Sequence, residues 1–269
     1  MNDHKNRVGN VFDRAAPQYG GKSCSFFNYF GKRLVDQVDI SVNQCVLDVA
    51  TGRGAVLFPL AQTIGPLGQV IGIDISKQML HETELEAKKR DLTWVHLQYM
   101  DAEHLDFPDN FFDSVFCGFG LFFFPSLPTA LSEFNRVLKP GGKLGVSIWG
   151  KNSELDAWIN GETKKLCNKS GLATVSLQSE HALRASLNTA QFKNIQIIEE
   201  TKTFFYDTPE EWWNSLWTHG RRAILEQLSP EQITGLCEQA IKTAQNLVTD
   251  GGVPEELQVF YGVAQKREI

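Results

Sequence analysis

VLDVATGRGAVLFPLA, residues 46–61, decides the fold. An apolar run interrupted only by Asp48 passes through Thr51, Gly52, Arg53 and Gly54 into a segment with apolar residues at helical spacing. Such a strand, tight turn and helix need glycine where the backbone must bend sharply and approach a ligand, and a carboxylate at the strand end can receive hydrogen bonds or a cationic amine. Taken alone, the pattern also suits a plain strand-to-helix turn.

The next apolar run, VIGIDIS at 70–76, ends in Asp74, at the distance downstream where nucleotide-binding α/β folds place an acceptor for ribose hydroxyls. Outward from these two runs the same alternation continues. Strands are expected at 46–49, 69–73, 93–99, 114–118 and 143–148, with helices at 55–64, 76–89 and 127–138 between them, the last stopped by Pro140. Strand–helix units in series build a parallel, doubly wound sheet. Beyond Trp149 helices are expected at 155–169 and 180–189, a strand at 195–205, a Trp-rich stretch at 208–228, a long helix capped by Ser229 with Pro230 in its first turn, and a final strand at 257–264.

With 269 residues the chain suits one catalytic unit, and a net charge of −6 gives no footprint for a nucleic-acid backbone. No segment reaches the roughly 18 apolar residues of a membrane span, and no signal peptide is visible at residues 1–19, so a cytoplasmic protein is expected. Cys24, Cys45, Cys117, Cys167 and Cys237 are scattered without a C-x-x-C pair or a His at ligand spacing, which argues against both disulfides and a metal site; Cys45 and Cys117 read as small core residues.

Four pieces in order, LDVATGRG (47–54), GIDISKQML (72–80), MDAEHLDFPDNFFDSVFCGFGL (100–121) and RVLKPGGKL (136–144), make the stretch from Val46 to Trp149 resemble the class I S-adenosylmethionine-dependent methyltransferases, particularly the ubiquinone/menaquinone-biosynthesis-like (type 11) group. VFDRAAPQY at 11–19 resembles the segment with which that family covers its cofactor. The resemblance implies an α/β, doubly wound seven-stranded Rossmann-like methyltransferase sheet with helical cap or lid insertions. It implies one domain: a helical cover at 1–40, a cofactor-binding core at 41–150, and the C-terminal half of the sheet at 151–269 with a lid insertion at about 206–250. S-adenosyl-L-methionine would be the cofactor and S-adenosyl-L-homocysteine its product. By position, Asp48, Ala50, Thr51, Gly52, Arg53 and Gly54 would surround the methionine portion and Asp74 would take both ribose hydroxyls. Ile75 and Met79 would pack on the adenine, Asp101 and Ala102 would meet its amino edge, Phe119 would line the methionine end, and Tyr19 would close from outside. Ala50 stands where many class I enzymes have glycine, as it does in the ubiquinone-type group, so the site is not read as dead.

Where many small-molecule methyltransferases carry histidine after the fourth strand, this chain reads Leu121-Phe122-Phe123-Phe124-Pro125. The remaining candidate bases are His181, His219, Asp156 and Tyr206, and His219 stands out because it follows Trp212, Trp213 and Trp217 in an expected lid. Trp213 and Trp217, four apart, would share a helical face suited to a flat or apolar acceptor opposite Phe122 and Phe124, although for each Trp taken singly simple core packing of a cap helix is the somewhat better account. Arg221 and Arg222 read as exposed charge, or as a grip on an anionic substrate. A small organic acceptor is expected, with oxygen, carbon and nitrogen all open as the methylated atom. Two other classes remain: a catalytically silent cofactor-binding module, and a nicotinamide-dependent oxidoreductase, against which the loop lacks the third glycine of G-x-G-x-x-G.

Overall fold

The computed structural model describes residues 3–21, 25–167, 171–172, 175 and 177–268. Cys24 and the last residues of the helix expected at 155–169 fall outside these, and that helix closes at Leu166. Seven strands lie in the order β3-β2-β1-β4-β5-β7-β6. They are β1 (Cys45–Val49), β2 (Gln69–Asp74), β3 (Val95–Tyr99), β4 (Phe112–Gly118), β5 (Leu138–Trp149), β6 (Lys193–Tyr206) and β7 (Val253–Gln265). β1 to β5 run parallel, and β7 enters antiparallel between β5 and β6. The expected doubly wound, seven-stranded sheet is present.

Parallel strands are buried on both faces, which is why they read as nearly unbroken apolar runs. Leu47, Val49, Ile73, Cys117 and Val146 point to one side, onto α5 (Leu127–Val137) and α7 (Glu180–Thr189). Val46, Val70 and Phe116 point to the other, onto α2 (Phe26–Gln37) and α3 (Leu57–Ile64). β5 begins at Leu138 and not at 143, because Phe112 of the neighbouring strand pairs with Leu138 and the Pro140-Gly141-Gly142 stretch is carried within the extended strand.

The chain folds over the C-terminal edge of this sheet at two places. α1 (Asp3–Ala15) lies against α4 (Lys77–Lys89), held by Asp13, whose Oδ1 accepts from Ser76 Oγ at 2.6 Å and from the Gln78 amide at 3.0 Å. The second cover packs α6 (Glu154–Leu166), α8 (Pro209–Ser215) and α10 (Pro230–Gln245) around Trp212, Trp213, Leu216, Leu236 and Ala240, with α9 (Arg222–Leu225) beside them. α10 opens on a complete capping box between Ser229 and Gln232, as the Ser-Pro start foretells. Among the described residues no helix is long and apolar enough to cross a membrane.

Candidate active site

Between β1 and β4 the strand order reverses, and in open α/β sheets the crevice outside the strand ends at this point is where ligands bind. The first turn out of β1 builds its floor. Ala50 sits at φ 55°, the left-handed conformation that the glycine found there in related loops adopts freely and that costs an alanine about 1 kcal/mol. Gly54, at φ 79°, has no room for a side chain, since a Cβ there would lie 2.5 Å from the Phe58 ring. Asp48 is buried beneath the turn: its Oδ2 accepts from Thr51 Oγ1 at 2.6 Å, and its Oδ1 has no partner among the described residues. Burial, followed by the charge of Asp74, pushes the Asp48 carboxyl up to about 7.

Asp74, ending β2, faces the cleft. Its Oδ2 accepts from the Gly52 amide at 2.9 Å and its Oδ1 from the Ser76 amide at 2.8 Å, so one carboxylate ties the β1 turn to the start of α4 and keeps lone pairs for a ligand. Burial raises it to about 6 against those donors. Ile75, Met79 and Ala102 give the neighbouring wall an apolar surface, and Asp101 closes its end. Lys5 of α1 reaches Asp101 at 2.7 Å and Glu103 at 2.5 Å, a buried contact that pins the N-terminal helix over this end. Arg53 turns away from the cleft, bonding the Ala16 carbonyl and lying 3.8 Å from Glu82, so it holds α1 to the loop without lining the cavity.

A second cavity of about 540 Å³ adjoins the cleft. Phe12, Tyr19, Phe119 and Phe123 line both, forming the wall between them. Tyr19 stacks on Phe27 with centroids 4.7 Å apart, and Phe119 stacks on Trp149 at 4.0 Å. Phe122 lines the chamber, whereas Phe124 faces the cleft. His219 lies on the chamber wall, 6.5 Å from the Phe27 ring; although partly accessible, it is enclosed deeply enough that burial, then Arg221, lowers its pKa to about 4. His219 is therefore neutral throughout the physiological range, not the near-neutral base expected. Of the other candidate bases, Asp156 and Tyr206 line the chamber, and His181 is exposed on α7.

Two substrate residues expected from the sequence are placed elsewhere. Trp213, in α8, and Trp217, in the turn after it, pack on the α6–α8–α10 cluster and line neither cavity. Trp213 is 6% exposed, and Trp217 is half-buried with the Arg222 guanidinium 6.0 Å from its ring. Arg221, read as exposed charge, turns into the chamber wall, where it bonds Asn160 and pairs with Asp156. Sequence reasoning also missed Lys5, Phe12, Trp149 and Glu255. Glu255 had a signal: in VPEELQVF it shares the alternation of Val253, Leu257 and Val259, a carboxylate on the buried face of a strand. Among the described residues no group of three or more His, Cys, Asp or Glu side chains is placed to hold a metal.

Residues 47–146 match a family described as a methyltransferase domain. Nocamycin O-methyltransferase of Saccharothrix syringae is 28% identical over 273 residues, covering 96% of this chain and 98% of that protein. The chain is an S-adenosylmethionine-dependent methyltransferase whose methyltransferase domain spans residues 47–146. Demethylmenaquinone methyltransferase of Geobacillus sp. (strain WCH70) is 37% identical over 142 residues, 51% of this chain, and the chain spans 61% of that enzyme's length. The YcgJ protein of Bacillus subtilis superposes with a TM-score of 0.63 at 21% identity, covering 90% of this chain and all of that one, a likeness of fold. S-adenosylmethionine is the cofactor of this methyltransferase, which excludes the oxidoreductase reading. The residues of the cleft suit it: the Asp74 carboxylate has acceptor sites to spare, apolar walls flank it, and the buried Asp48 Oδ1 beneath the β1 turn lacks a partner among the described residues.

Proposed function

We propose that this methyltransferase acts on a small, flat, largely apolar organic acceptor held in the chamber, and that Phe12, Tyr19, Phe119 and Phe123 mark where methyl donor and acceptor meet. That shared aromatic wall is the observation that carries the reading. The assigned donor roles follow the cleft. Asp74 takes the ribose hydroxyls, Ile75 and Met79 flank the adenine, and Asp101 with Ala102 meets its amino edge. Ala50, Thr51, Gly52 and Gly54 shape the turn around the methionine portion, Asp48 supports it from below, Arg53 secures the cover, and Tyr19 and Phe119 close the methionine end.

Bound S-adenosylmethionine supplies an activated methyl group on a sulfonium, so the chain's residues have to align an in-line displacement and exclude water. The aromatic wall does both. His219, neutral and of low basicity, suits a hydrogen bond to the reacting group better than removal of a strongly held proton. An acceptor already ionised at its reacting atom, or an activated ring carbon, fits such a site. Phe122 lines the acceptor's path, and Phe124 supports the wall from the donor side.

The named activities of the relatives, an O-methyltransferase and a quinone-pathway methyltransferase, support an organic acceptor of this kind. An acidic chain supports a small molecule over a nucleic acid, and the free cysteines agree with a reducing, cytoplasmic setting. The test is incubation with S-adenosylmethionine and a cell extract separated into small-molecule, RNA and protein fractions, following release of S-adenosylhomocysteine and a 14-dalton gain by mass spectrometry in each fraction. Methyl gain on an aromatic metabolite is expected; labelling confined to the RNA or protein fractions would overturn the reading.

A further inference from the structure

The histidine of the chamber is placed against the wall that both cavities share. A Cβ on Gly220, the next residue, would lie 3.3 Å from Cζ of Phe123 and 3.7 Å from Cζ of Phe12, so the backbone here abuts two of the four shared rings. The His219 ring itself meets Phe27 edge-on at 6.5 Å. Phe27 in turn stacks on Tyr19 at 4.7 Å and lies 5.8 Å from Phe119, the other two. His219 thus stands within one neighbour of every ring in the wall.

The backbone also decides which ring nitrogen carries the proton. The Arg221 amide donates to Nδ1 at 3.5 Å, so Nδ1 presents its lone pair and the single proton of the neutral imidazole sits on Nε2. The opposite tautomer would set two N–H groups against each other. Nε2 has no hydrogen-bond partner among the described residues and, unlike Asp48 Oδ1, keeps accessible surface, which on a ring so enclosed opens on the chamber. The other titratable groups of the chamber are Tyr19, Lys151, Asp156, Tyr206, Arg221 and Glu255. Of these, Arg221 acts most on the ring and keeps a second proton off it, with Asp156 opposing. Toward the chamber, therefore, His219 is a donor and not a base.

A neutral N–H bonds an anionic oxygen more strongly than a hydroxyl, so it favours the ionised form of whatever oxygen it holds. We propose that His219 donates its Nε2–H to the oxygen of an acidic enol or phenol, holding the acceptor at the aromatic wall as the anion that is methylated. This rests on the chamber being the acceptor site. The hydroxyl proton leaves to solvent as the acceptor binds. The oxyanion's electron pair then forms the bond to the methyl carbon, and the bond from that carbon to sulfur breaks with its pair on sulfur. Oxyanion and sulfonium give a neutral ether and a neutral thioether, and no residue has to take a proton. Acceptors are selected by their readiness to ionise as well as by their shape.

The experiment uses the full chain loaded with S-adenosylhomocysteine and two probes, 7-hydroxycoumarin, whose absorption separates phenol from phenolate, and 7-methoxycoumarin, which cannot ionise. The ionisation constant of bound 7-hydroxycoumarin is expected to be about tenfold larger in the unmodified chain than in His219→Ala, the worth of one hydrogen bond to a charged group. His219→Gln, whose amide donates without being basic, should restore most of that difference. Affinity for 7-methoxycoumarin should change far less. An ionisation constant that is equal in His219→Ala, or larger there because the ring had been accepting the phenol proton, overturns the proposal while the chamber stands. So does His219→Gln behaving as His219→Ala, or an equal loss of affinity for 7-methoxycoumarin. Nitrogen-15 NMR of the unmodified chain, with the His219 signals assigned by their loss in His219→Gln, keeps the test decisive should His219→Ala not fold: the proton is expected on Nε2, and a proton on Nδ1 overturns the proposal. If the chain binds S-adenosylhomocysteine but neither coumarin, the acceptor-chamber reading falls and the donor role with it.

Discussion

Replacing Asp74 by alanine probes the cleft where burial and ligand binding pull in opposite directions. Its carboxyl is raised from 3.8 to about 6, so keeping it ionised near pH 7.5 costs the fold about 3 kcal/mol at 1.36 kcal/mol per unit. That cost is already net of two backbone donors, Gly52 and Ser76, at 2.9 and 2.8 Å. Alanine relieves the desolvation but strands both amides, at about 1–3 kcal/mol each, so the two effects nearly cancel and the apo melting temperature should move little. Binding has no such cancellation. Each cofactor hydroxyl on the carboxylate is worth up to about 1.5–3 kcal/mol, so affinity should fall at least tenfold and up to several hundredfold. Calorimetry with S-adenosylhomocysteine and a thermal melt of the apo chain separate the two. The unmodified chain should also lose affinity as pH drops through about 6, because only the ionised carboxylate accepts two hydroxyls. Unchanged affinity in Asp74→Ala, accompanied by a collapse of the melting temperature, would make the residue a loop brace and refute the assignment.

The other expectations concern the chamber and its cap. Trp213→Ala, cutting a side chain 6% exposed into the α8–α10 contact, should cost about 3–5 kcal/mol in a denaturant melt while the folded fraction binds S-adenosylhomocysteine normally. A change in acceptor affinity with unaltered stability would restore it to the substrate site. His219→Ala should lower turnover by less than about a hundredfold, the low end of general-base effects, and a pH–rate profile should show no inflection between pH 6 and 7 that the variant removes. Loss of such an inflection would return His219 to the role of base. Glu255 is raised to about 7 by burial and by Asp156, so the folded chain binds this proton more tightly than the unfolded one. Its contribution to stability is full below about 4.5, the ordinary glutamate value, and is lost as pH climbs to about 7; Glu255→Gln should flatten that slope in melts between pH 5 and 8. An unchanged slope would show the carboxyl to be solvated.

The cofactor half was legible because its constraints are local. A turn that needs left-handed backbone at Ala50, Gly52 and Gly54 must sit just after an apolar strand, and an acid that braces this turn must end the next strand, so residues 46–76 carry their geometry in a fixed spacing. Strand limits came within a residue or two wherever apolar runs were bounded by polar turns, as at 46–49 and 69–73, and were missed at β5 and β7, which continue through polar residues because a neighbouring strand pairs with them.

The acceptor half obeys no such spacing. Its wall brings together Phe12 of α1, Trp149 at the end of β5, Asp156 and Asn160 of α6, Arg221 before α9 and Glu255 of β7, residues that meet only because two helical covers close over one sheet edge. Helical periodicity also misleads there, since the four-residue spacing of Trp213 and Trp217 reads as one helix face, whereas α8 ends at Ser215 and Trp217 lies in the turn beyond it. What the sequence does hold is each residue at odds with its own surroundings. Glu255 stands on the buried side of an alternating strand, and Arg221 follows a Trp-rich helix into a polar contact with α6. A charge is kept in such a place at a cost to folding, and that cost is tolerable where the group also recognises a ligand. Residues that break the pattern around them therefore mark the chamber wall, in contrast to those of the cleft, which complete one.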